Sequence, residues 1–118
     1  MPKIVKVNCN SIKINGTCRQ GYIEASYDQL LSKFGPPSEL FDNWKSDAEW
    51  SIEFEDGSVA TIYNWKNGKN YCGEDGLDVE DIKEWNIGGN DRRVEEWIVD
   101  YVHHSWPVFD EIRQEAQF

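Results

Sequence analysis

Apolar residues recur along the chain at two spacings, one suited to strands and one to helices, and together they outline the elements. Near the N-terminus, KIVKVNCNSIKING alternates apolar and polar positions, which predicts one or two short strands ending in a turn at Asn15-Gly16. CRQGYIEA predicts a further strand. Tyr27, Leu30, Leu31 and Phe34 then return at helical spacing. Ser26 stands at the N-cap position with Gln29 three residues on, the two halves of a capping box, and Gly35-Pro36-Pro37 ends the helix. Residues 38–47 read as a loop.

The sharpest alternation is EWSIEFEDGSVATIYNWK. Asp56-Gly57 suits a two-residue type I′ turn, in which both central positions need positive φ. Such a turn pairs Phe54 with Val59, Ile52 with Thr61, Trp50 with Tyr63 and Ala48 with Trp65, and sends all eight to the core face. Ser51, Glu53, Glu55 and Asn64 then face water. KNGKNYCGEDGLDVEDIKEWN reads as a long loop with one helical turn around Asp78 to Ile82, and EWNI as a strand that closes the sheet. Val94, Trp97, Ile98, Tyr101 and Val102 mark a helix from about Asp91 to His103. Ser105, Trp106 and Pro107 open a last short helix with Val108, Ile112 and Ala116 as its apolar positions. The expectation is one α+β domain over residues 1–118: a mostly antiparallel sheet with a central Asp-Gly hairpin, packed on one face by two or three helices.

Hydrophobic residues make up 39% of the chain, enough for a packed interior and against disorder. No apolar run approaches the roughly 20 residues of a membrane span, and the first residues lack a secretory core, so the expected location is a cytoplasm. Cys9, Cys18 and Cys72 are an odd number without C-x-x-C spacing, which predicts reduced thiols rather than a disulfide or zinc framework.

Charge changes the picture most. The net charge is −10, and residues 1–70 hold eight basic against nine acidic residues while residues 71–118 hold four against thirteen. That imbalance disfavours a nucleic-acid groove, which needs cations to neutralise phosphates. Asp75, Asp78, Glu80, Asp81 and Glu84, joined by Glu95, Glu96 and Asp100, instead form a candidate surface that imitates a nucleic-acid backbone and occupies a basic groove on a partner protein.

Candidate chemistry is otherwise thin. The acidic loop lacks the oxygen spacing of a calcium site, so no metal or cofactor is expected. His103 and His104 are adjacent, not i and i+4, and cannot share a metal on a helix. No nucleophile setting is recognisable, so no enzymatic activity or catalytic residue is expected. WNIGGNDRR (85–93) offers an alternative site: Gly88 and Gly89 entering a helix with Arg92 and Arg93 would hold a phosphate-bearing nucleotide, with Tyr63 or Trp85 stacking on its base.

GYI at 21–23, Tyr27, FGPP at 34–37, KSDAEW at 45–50, EDGSVATIYNWK at 55–66 and WNIGG at 85–89 together resemble a family of small, mostly uncharacterised proteins of bacteriophages and large DNA viruses. The resemblance spans about residues 18–90 and carries no catalytic residues; the family's common His after Trp85 is Asn86 here. It implies a viral accessory protein acting in the host cytoplasm. The expected role is then counter-defence, as an anti-CRISPR-like inhibitor of a host immune or nucleic-acid-processing protein. A sponge for a nucleotide signal and an oligomerising structural protein are the alternatives.

Overall fold

The computed structural model describes residues 2–9, 11–14, 16–38, 47–65 and 67–104. The predicted C-terminal helix and most of the 38–47 loop lie outside them. The elements are β1 (Ile4–Val7), β2 (Cys18–Glu24), α1 (Tyr27–Phe34), β3 (Glu49–Phe54), β4 (Val59–Tyr63), α2 (Lys69–Cys72), β5 (Glu84–Gly89) and α3 (Arg93–His104), with 3-10 turns at Gly73–Asp75 and Val79–Asp81. The five strands form one antiparallel sheet in the order β1-β3-β4-β5-β2, so β1 and β2 are its edges.

Local sequence chemistry explains several boundaries. Gln29 donates its amide to the Ser26 hydroxyl while its side chain accepts the Ser26 amide at 2.8 Å, so the capping box satisfies two donors at the start of α1. Gly35, at φ 77°, ends the helix with its N–H on the Leu31 carbonyl. Among the described N-terminal residues one strand forms, and Asn8, at φ 56°, turns the chain aside at its end. Its side chain replaces the lost ladder by accepting the Ser51 amide and donating to the Pro36 carbonyl.

The hairpin differs from its expected register by one residue. β3 and β4 pair Trp50 with Ile62, Ser51 with Thr61, Ile52 with Ala60 and Glu53 with Val59. The loop is Glu55-Asp56-Gly57, three residues long, with Gly57 at φ 88° and its N–H on the Phe54 carbonyl. This is the turn-plus-bulge alternative for an Asp-Gly pair, in which only the glycine needs positive φ. A one-residue shift moves alternate side chains to the other face. Trp50, Ile52, Phe54, Ala60 and Ile62 therefore share the core face, Thr61 and Tyr63 go to the opposite face, and Trp65 is 48% exposed. Asn64, expected in water, is buried: its Oδ1 accepts the Asp47 and Ala48 amides, and its Nδ2 donates to Asn67.

The core joins that face to α1 and α3. Trp50 and Trp85 meet edge to face at 5.5 Å, and each indole N–H is satisfied by a backbone carbonyl beside α1, Gly35 and Ala25 respectively. Leu30 and Phe34 of α1 and Val94, Ile98, Tyr101 and Val102 of α3 belong to the same cluster, with Ile23, Ile82 and Ile87.

Candidate partner-binding surfaces

The WNIGG segment is strand, not a phosphate loop. Gly88 pairs with Thr61 and Arg19, and Gly89 with Ala60 and Cys18, inside the sheet. A Cβ on Gly89 would stand 2.5 Å from Val94 Cγ2 and 2.8 Å from the Val59 carbonyl, so the glycine lets α3 approach the sheet. Gly88 leaves room for the Thr61 hydroxyl.

Nor is Arg93 set up to hold an anion. The Asp91 carboxylate accepts the Arg93 backbone amide at 2.9 Å and its guanidinium at 2.7 Å. These bonds hold the carboxyl at about 2, well below the ordinary range. Arg93 also lies over the Trp97 ring, 5.0 Å from its centroid. The Arg93 donors are thus engaged from within, whereas Arg92 stands exposed beside them. Trp85 is fully buried with its N–H on Ala25, so it cannot stack on a ligand. Of the two rings expected to stack on a nucleotide, Tyr63 alone is partly exposed, on the sheet face away from the core.

The acidic residues separate into groups. Asp75, Glu80, Asp81 and Glu84 are exposed. Burial, and after it the charges of Glu80 and Asp28, raise the Tyr27 hydroxyl above its ordinary pKa, and the 79–81 turn packs on α1. Glu84 stands directly across from Glu24 at the end of the β2–β5 ladder. The two flank an open groove of about 400 Å³ lined also by Ser26, Gln29 and Lys83. Among the described residues none of Glu24, Asp28, Glu80, Asp81 and Glu84 has an ion-pair partner. Asp78, by contrast, is paired with Lys69 at 3.0 Å.

On α3, Glu96 and Asp100 are exposed. Glu95 departs from its expected role. Its carboxylate accepts the Tyr22 amide at 2.9 Å and lies over Gly21, so it guards the β2 edge and is not offered outward. The helix packs on β2, β4, β5 and α1, and the 79–81 turn packs on α1.

A feature without a local sequence signal lies on the sheet face away from the core. Register places Tyr22 of β2, Asn86 of β5, Tyr63 of β4 and Glu49 of β3 in one row across four strands. Tyr22 is 46% exposed, and the Arg19 guanidinium lies 4.8 Å from its ring centroid. Burial raises the Tyr63 hydroxyl pKa, and nearby Arg19 offsets part of that rise. The alternation that would signal this row is hidden by the bulge between Arg19 and Gly21.

Among the described residues no group of three His, Cys, Asp or Glu side chains converges as a metal site, and no helix is long and apolar enough to cross a membrane. Cys9, Cys18 and Cys72 are free thiols. The chain matches no protein-family model and no curated relative.

Proposed function

We propose that this protein is a non-enzymatic viral counter-defence inhibitor that docks through an acidic surface on the basic groove of a host protein handling nucleic acid. The observation that carries the reading is the set Glu24, Asp28, Glu80, Asp81 and Glu84. These carboxylates gather around one end of β2, β5 and α1 without a described counter-ion. Unpaired exposed carboxylates raise the local negative potential, which steers a basic partner and rejects nucleic acid itself. Glu96 and Asp100 are exposed on α3 as a second acidic group. The viral origin rests on the motif resemblance, and the host cytoplasm follows from it.

The test is capture from host lysate by the tagged protein over a range of salt, beside the variant carrying Glu80→Lys, Asp81→Lys and Glu84→Lys. The reading expects a specific captured protein whose recovery falls steeply with salt, because exposed charges are screened beyond about 10 Å at 0.1 M. It also expects the variant to lose that protein while melting as the parent does. Equal capture by the folded variant would remove the acidic surface from the mechanism.

A further inference from the structure

We infer that the row of Tyr22, Asn86 and Tyr63 beside this acidic end is the centre of the partner interface, and that it is built to receive arginine side chains of a protein segment. The inference rests on the acidic-docking reading and names the surface on which it acts. Tyr22 and Tyr63 stand in one row on either side of Asn86, two strand spacings or about 10 Å apart. The side-chain amide of Asn86 has no hydrogen-bond partner among the described residues, so it is available to a ligand. Gly88, next along β5, is buried under the Thr61 hydroxyl, so the row ends there and its accessible part is Tyr22, Asn86 and Tyr63. One step the other way, Glu24 and Glu84 face each other, both exposed.

A guanidinium matches this set better than any other group. It is planar and stacks on an aromatic face, and its fork of N–H donors pairs with a carboxylate in two parallel bonds. The protein already shows the first half of that chemistry on itself, with Arg19 over Tyr22 at 4.8 Å. A partner's arginine can take the same stacking and add the Glu24 and Glu84 carboxylates. Tyrosines encircled by charge are also the composition of binding hot spots, where a few rings supply most of the affinity. Single-stranded nucleic acid, the other polymer that stacks on exposed rings, would bring phosphates against the same two carboxylates. Beside the two rings the nearest described cation is Arg19, already held on Tyr22, while Lys6 across the sheet is paired with Glu53.

The test titrates isotope-labelled protein with a short Arg-Gly-Gly repeat peptide at physiological salt, reading backbone amide shifts, with a Lys-Gly-Gly peptide and an oligothymidine in parallel. The largest shifts are expected at residues 19–24, 61–63 and 84–88, with the arginine peptide bound more tightly than the lysine peptide. Tyr22→Ala is expected to weaken binding about tenfold. Glu84→Gln, which keeps shape and removes charge, serves as the second variant, with a similar loss expected. Shifts confined to residues 73–81 and α3, with Tyr22→Ala and Glu84→Gln binding as the parent does, would overturn this face and leave the acidic-surface reading standing. No shift with either peptide would overturn both. Tighter binding of oligothymidine to these residues would overturn the choice of a protein segment.

Discussion

The carboxylate of Glu95 occupies the space that a Cβ on Gly21 would fill, and from there it accepts the amide of Tyr22 at 2.9 Å. A helix side chain thus satisfies a donor on the free edge of β2. Unpaired edge amides template pairing with other chains, and an inward-reaching charge blocks that.

This relationship predicts a coupling between the two positions. Glu95→Ala loses one charge-assisted hydrogen bond at a solvent-accessible site, a loss of about 1 kcal/mol. Gly21→Ala pushes the carboxylate off but regains about 0.5–1 kcal/mol of backbone entropy, so its net effect in the parent is small. With Glu95 already removed, the same Gly21→Ala change should become stabilising. Urea unfolding of the four proteins in the cycle checks this. Identical effects of Gly21→Ala in both backgrounds would mean that Glu95 does not hold the edge. Glu95→Ala should also self-associate more readily at high concentration.

Asn64 ties the end of β4 to the chain entering β3. It is fully buried and accepts two backbone amides, those of Asp47 and Ala48, at 2.8 and 3.1 Å. Asn64→Ala leaves both donors without their acceptor, and the expected destabilisation is about 2–3 kcal/mol by chemical unfolding. A loss below about 0.5 kcal/mol would show that water replaces the side chain easily.

The sequence made α1 legible down to its capping box, because the bonds there join residues three apart and need no tertiary partner. It also made the strands around Asp56-Gly57 legible, but not their register. An Asp-Gly pair fits two hairpin loops, and VATIY is buried at Val59, Ala60, Thr61 and Ile62 alike, so alternation there does not choose between them. The choice falls to Asn64 and to β5, both remote or polar. Trp85 was legible in principle, since Trp85 and Ile87 alternate with Glu84 and Asn86. The glycines after them suggested a ligand loop only because their strand partners, Ala60 and Thr61, are distant in sequence. The Tyr22 row depends on strands from separate parts of the chain and on a bulge, which no local pattern encodes.

The loop chosen by the hairpin makes its own prediction. Gly57 sits at φ 88°, and nothing lies within 4 Å of where a Cβ would stand, so substitution there is opposed by backbone conformation alone. Gly57→Ala should cost about 1 kcal/mol, and Gly57→Asn less, because Asn tolerates the left-handed region. Thermal melts of the two variants check the order.

Asp91 provides a pH test of the corner that resembles an anion site. Its folded carboxyl is held at about 2, first by the side-chain hydrogen bond from Arg93 and then by the Arg93 backbone amide. A depressed carboxyl stabilises the fold fully above its ordinary value near 3.8 and loses that contribution as pH falls through about 2. Carbon-detected titration of the Asp91 carboxyl should therefore give a midpoint far below the ordinary one, and Arg93→Gln should move it upward. In Asp91→Asn, stability should vary less between about pH 4 and 2 than in the parent. Inorganic phosphate should leave the amides of residues 90–94 unmoved in the parent, because Asp91 already holds the Arg93 donors. Phosphate-dependent shifts at those amides, with Asp91 titrating at an ordinary value, would restore the corner as a ligand pocket and take the Asp91–Arg93 pair out of the account.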